Sequence, residues 1–178
     1  LNISTLETDQ IANNLIFDLP GEKPGCVVLS AHIDGHDLAE SAMDNATGMA
    51  VALEVARRLA PEANTWQRGL RLAFFNVEEW ALTGSAHHVS GLTKEEKDLV
   101  ALNVNLDSVA GGDGLAALTS EFPGIEPFLS GCAKEVGIEL ELFRPLQINS
   151  DHANFAVAGI PAFRLVSGFG DATAATSL

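Results

Sequence analysis

An imidazole and several carboxylates stand directly after apolar runs. His32 closes CVVLSAH at 26–32, Glu78 and Glu79 follow LRLAFFNV at 70–77, and Asp107 follows VALNVNL at 100–106. Asp44 stands in the segment that leaves the first of these runs, just ahead of a helical pattern. If the runs are parallel strands, their carboxyl ends share one rim, which is where open α/β sheets bind ligands. Carboxylates gathered there around one imidazole repel one another unless a cation joins them. The mixed nitrogen and oxygen donors suit zinc, with cobalt or manganese as lesser options. Taken singly, each residue has a plainer role. Asp44 reads as a helix N-cap, Glu78 and Glu79 as a solvated helix start, and Asp107 as a turn residue. His32 alone reads as a hydrogen-bonded core histidine. Their occurrence in order at consecutive strand ends is what argues for a shared site.

Positioning these groups requires strands and helices in alternation, and the chain shows this nearly end to end. Residues 11–18 read as a strand and PGEKPG at 20–25 as a turn. Met49, Leu53, Ala56 and Leu59 recur at helical spacing within 46–60, and Pro61 predicts the stop. Thr93 followed by Glu96 has the form of a capping box before the strand at 100–106. Further strands are expected at 115–119, 139–143 and 162–166, and further helices at 124–137 and 151–158. Continuous apolar strands separated by helices predict an α/β fold, a three-layer α/β/α sandwich with a mostly parallel central sheet.

A chain of 178 residues is long enough for one such domain with a real core. No repeat or linker divides it. Hydrophobic residues make up 47% of the chain, which excludes disorder as its default state. The net charge of −14 repels phosphate backbones and anionic lipid, so nucleic acid and polybasic membrane docking are excluded as partners. No apolar run reaches the roughly 18 residues of a membrane-spanning helix. Cys26 and Cys132 belong to no CxxC pair, and two buried thiols are expected, with a disulfide as the alternative. The sequence starts without Met, has no signal-peptide profile, and stops at ATAATSL, so a fragment of a longer chain is expected.

AHID at 31–34, SAMDNATGMA at 41–50, NVEEWALTGS at 76–85, NLDSV at 105–109 and SDHANFAVAGIPA at 150–162 together resemble the zinc aminopeptidase family M28. The resemblance runs over roughly residues 20–167 and implies two zinc ions side by side on the sheet rim. It implies that Asp44 bridges them, that His32 and Asp107 complete the ligands of one, and that Glu79 binds the other. Glu78 would be the general base, and Asp34 a carboxylate behind His32 that fixes its tautomer. Asn45 and Gly48 would shape the bridging loop.

The family's last histidine ligand lies in an H-T-x-x-D-T motif that this sequence lacks, so the second zinc has only Asp44 and Glu79. At most one tight zinc is therefore expected. His152 is the alternative ligand, while His36, His87 and His88 are expected to be solvated or packing residues. The implied activity is hydrolysis of the N-terminal peptide bond, with peptides bearing a free N-terminus as partners. A carboxypeptidase or dipeptidase, a glutaminyl-cyclase-like acyltransferase, and a degenerate binding domain are the alternatives. A secreted or periplasmic location rests on the resemblance alone, and oligomeric state is not legible.

Overall fold

The computed structural model describes residues 9–170. The first and last stretches of the sequence, with its polar start and its ATAATSL end, lie outside the described residues. Seven strands form one sheet, in the order β1-β3-β2-β4-β7-β5-β6. They are β1 (Leu15–Leu19), β2 (Cys26–His32), β3 (Gly69–Phe75), β4 (Val100–Leu106), β5 (Leu115–Thr119), β6 (Glu141–Phe143) and β7 (Ala162–Ser167). β3, β2, β4 and β7 run parallel as neighbours, so their carboxyl ends share one rim. β1 runs antiparallel to β3 at one edge. β5 runs antiparallel to β7 and parallel to β6 at the other. The sheet is thus parallel where the predicted ligands lie and reversed toward its edges.

The helices are α1 (Gly48–Leu59), α2 (Thr83–Gly91), α3 (Lys94–Leu99), α4 (Ile125–Val136) and α5 (His152–Val157). Alternate residues of a strand face opposite sides, and the two faces bury different helices. Leu29, Ala31, Leu70, Leu72 and Phe74 pack with Ala52 of α1. Ile125 and Leu129 of α4 cover Ala117 and Phe163 on that same side, where both clusters share Val104 and Leu165. Val28, Ala73 and Phe75 face the other way, onto Val89 of α2 and Phe155 of α5. The Phe75 and Phe155 rings meet at 5.9 Å. Helices on both faces make the three-layer sandwich expected from the apolar strands. Among the described residues, no helix is long and apolar enough to cross a membrane.

Several boundaries differ from the expectation, each for a local reason. β1 begins at Leu15, because Asn14 turns its side chain to the backbone of Asn76 and Gly84. α1 begins at Gly48, two residues later than expected, since Asp44 and Asn45 have non-helical backbone angles. Pro61 follows the end of α1 at Leu59, as expected. It sits at the start of a 3-10 turn over Ala60–Thr65, a position that needs no N–H from it. The expected strand at 139–143 shortens to β6 and the helix at 151–158 to α5. Thr93 and Glu96 form the expected capping box, with bonds of 3.1 and 2.8 Å.

Both cysteines are free, and the expectation that both are buried is wrong. Cys26 is half-buried, and Cys132 is exposed. Ile125, Leu129 and Ala133 form the buried row of α4. Cys132 falls on the next row round the helix, facing out.

Candidate metal centre

His32 is the last residue of β2, and only 1% of it reaches solvent. Its Nδ1 lies 3.1 Å from the main-chain oxygen of Asp34. With Nδ1–H donating there, Nε2 faces the rim. Asp44 Oδ1 lies 2.8 Å from that Nε2, and Asp107 Oδ1 lies 3.7 Å from it.

Asp34 does two separate jobs. Its carbonyl orients the imidazole, while its carboxylate lies 3.6 Å from Nδ1 and turns mainly to the next strand end. There Oδ1 accepts the Glu78 N–H at 3.0 Å and Oδ2 accepts the Glu79 N–H at 3.3 Å. One short segment after β2 thus fixes both the ring and the two glutamates after β3.

Asp44 is held through its neighbour. Asn45 Nδ2 donates to the Leu106 carbonyl at 3.0 Å. Its Oδ1 accepts the N–H groups of Gly48 at 3.0 Å and Ser108 at 3.3 Å. These bonds tie the Asp44 turn to the end of β4, where Asp107 stands. A Cβ on Gly48 would collide with Asn45 Oδ1 and the Leu106 carbonyl, so only glycine allows that approach. The Asp44–Asn45 peptide bond is cis.

Asp107 is buried, which by itself would raise its pKa. His32, Arg164 and Ser150 outweigh burial and keep it ionised, at about 2. Arg164 Nη2 lies 3.2 Å from Asp107 Oδ1, and Ser150 Oγ donates to Oδ2. Burial pushes Glu78 up to about 8, with His32 opposing and the carboxylates of Asp107, Asp151 and Glu79 adding. Glu79 is also raised, by burial and by Asp44.

The backbone around these groups is unusual. Ser41, Val77, Ala81, Leu82 and Ser108 are the non-glycine residues with positive φ among the described residues. Each stands within a few positions of a predicted ligand or of Glu78. Such conformations are costly and gather where surrounding structure imposes them, typically at functional sites.

Two groups could hold a cation, each with its ligand atoms within 4.8 Å of one another: His32, Glu78 and Asp107, and His32, Asp44 and Glu79. Asp44 Oδ1 is buried without a hydrogen-bond partner, although it faces His32 Nε2. An orphaned carboxylate oxygen beside an imidazole nitrogen fits a cation of the zinc type.

His152 is not in either group. It is fully buried, both its ring nitrogens lack partners, and burial pushes it down to about 4. His36, 71% exposed, lies 3.9 Å from Glu79 Oε2 at the mouth of the site. His87 is exposed, and His88 packs on Phe75 and Phe155. Arg164 and Ser150 were not anticipated. The arginine was visible as the one charge inside AFRLV, since a charge in a core strand needs a partner.

A proton now does part of a cation's work. Burial opposes charge on His32, but Asp107 and Asp44 outweigh it and hold the imidazole protonated well above neutral pH. Zinc ligation requires the neutral ring, so binding expels that proton. Raising the pH removes the competitor and tightens binding. The zinc Kd should fall roughly tenfold per unit from about pH 6 to about pH 8. Chelator competition measures this, and a flat profile would exclude His32 as a ligand.

A family model described as Peptidase family M28 matches residues 14–176. Leupeptin-inactivating enzyme 1 of Streptomyces exfoliatus is 30% identical over 156 residues, covering 87% of this chain and 36% of that protein. Aminopeptidase YwaD of Bacillus subtilis is 34% identical over 105 residues, covering 57% of this chain and 23% of that one. A solved zinc aminopeptidase from Bacillus subtilis superposes with a TM-score of 0.80 at 27% identity, over 90% of this chain and 41% of that one. The chain spans about a third or less of the length of the two curated relatives.

Proposed function

The chain belongs to peptidase family M28, and from that premise we propose that it carries the metal-binding and proton-transferring residues of a zinc aminopeptidase. The observation that carries this reading is the convergence of His32, Glu78, Glu79 and Asp107 from three strand ends, and of Asp44 from the turn before α1, onto one rim. We assign His32, Asp44 and Asp107 to one zinc and Asp44 with Glu79 to a second. Bound zinc supplies Lewis acidity toward a scissile carbonyl and acidifies water.

The remaining work falls to side chains. Glu78 is the general base, because it is buried at 8% exposure and its raised pKa suits proton transfer near neutral pH. Asp34 sets the direction of Glu78 by holding its N–H and that of Glu79 in one carboxylate. The net charge of −14 favours a substrate that carries an α-ammonium. The charged partner is therefore a peptide with a free N-terminus.

Aminoacyl-anilides, their N-blocked counterparts and C-terminal substrates test this on the zinc-loaded protein. Only the free-amine substrates should turn over, and a chelator should stop them. Cleavage of N-blocked substrates at equal rates would refute the exopeptidase assignment.

A further inference from the structure

Ser30, Asn103 and Asn105 are fully buried polar residues in the middle of the sheet. They lie on the face whose neighbours, Val28 and Phe75, pack against α2 and α5. Strand pairing sets Ser30 beside Asn105 and Val28 beside Asn103. Apolar side chains would bury there at lower cost, and Asn103 Oδ1 has no hydrogen-bond partner, so stability alone does not account for these residues.

The bonds run one way. Asn103 Nδ2 donates to Ser30 Oγ at 2.8 Å, and Ser30 Oγ donates to Asn105 Oδ1 at 2.8 Å. Asn105 Nδ2 donates to Ser150 Oγ at 2.7 Å, and Ser150 Oγ donates to Asp107 Oδ2. Each hydroxyl has one hydrogen to give. Ser30 already receives from Asn103, so its hydrogen goes to Asn105. Ser150 already receives from Asn105, so its hydrogen goes to Asp107. The amide of Asn105 transmits the direction, since its oxygen faces Ser30 and its nitrogen faces Ser150.

We propose that this one-way chain of hydrogen bonds, begun by Asn103 and Ser30 inside the sheet, fixes the Asp107 carboxylate in its ligand geometry. Ser30 and Asn105 are then positioning residues that act through Ser150. The inference rests on the reading of Asp107 as a zinc ligand. Without the Ser30 hydroxyl, Asn105 is free to turn its amide end for end. Its oxygen then faces Ser150 and takes the proton now given to Asp107. Successive bonds in a low-dielectric interior reinforce one another, so the loss reaches the carboxylate.

The test uses the whole chain with Ser30→Ala, Ser30→Thr and Asn103→Leu, with thermal melting of the metal-free state as the check on folding. Ser30→Ala should raise the zinc Kd by roughly tenfold, and Asn103→Leu should shift it the same way. Ser30→Thr restores the hydroxyl and should bind zinc as the parent does. Deuterium exchange of the Asn105 side-chain NH2 should be slow in the parent and faster in Ser30→Ala. A folded Ser30→Ala with the parent's zinc Kd overturns the proposal, as does a Ser30→Thr that melts normally yet loses affinity. If Ser30→Ala does not fold, Asn103→Leu decides by the same criterion. A parent chain that takes up no zinc defeats the metal reading instead, and Asn105 exchange then judges the chain alone, with equal rates overturning it.

Discussion

Glu78→Gln should lower peptide hydrolysis by about 10²–10⁴-fold while the bound zinc stays. Glutamine keeps the shape of the side chain and cannot accept the proton. The backbone N–H of residue 78 remains on Asp34 Oδ1, so the turn after β3 keeps its place. Removing one carboxyl from a crowd of acids also leaves the remaining ligands less repelled. Two measurements on one sample settle the assignment: turnover of a free-amine anilide and zinc content by elemental analysis. Activity near the parent level removes Glu78 from the base role. Loss of zinc would instead make Glu78 a ligand with His32 and Asp107, a grouping whose atoms lie within 4.8 Å.

Asp44→Ala should weaken zinc binding at both positions, by at least roughly a hundredfold, judged against the effect of disturbing outer partners alone. Its Oδ1 is the carboxylate atom nearest His32 Nε2, at 2.8 Å, and it has no other hydrogen-bonded partner. The Asn45 bonds that hold this turn to β4 do not involve the Asp44 side chain. The metal-free variant loses the pairing of Asp44 with the protonated His32 imidazole and should melt below the parent at neutral pH, so zinc content is read on protein shown to be folded. Full zinc content in Asp44→Ala would contradict a bridging role.

The proposed zinc-binding rim was legible because its members end apolar runs. Strand burial is written locally, in unbroken stretches such as CVVLSAH, and the residue that follows such a stretch is placed at the strand's end by chain continuity alone. His32, Glu78, Glu79 and Asp107 all carry that signal. Asp34 was only half legible. Its place two residues after His32 suggested contact with the ring, but its bonds to Glu78 and Glu79 span more than forty residues of sequence. The same holds for Asn45, whose partners at Leu106 and Ser108 delay α1 until Gly48. Cys132 misled because an apolar neighbourhood in sequence does not say which row of a helix faces inward. The reversal of β5 and β6 carried no local mark, since their short apolar runs read alike in either direction.

That reversal bears on how the protein can be modified. Because β5 runs against β7, the turn at 120–124 leaves the sheet at the pole away from the ligands, while Ser167 ends at theirs. Glu121, Pro123 and Gly124 on this turn are open to solvent. A fluorophore, an affinity handle or a grafted peptide inserted there should leave zinc binding untouched, whereas the same cargo at 108–114, directly after Asp107, would crowd the proposed metal centre.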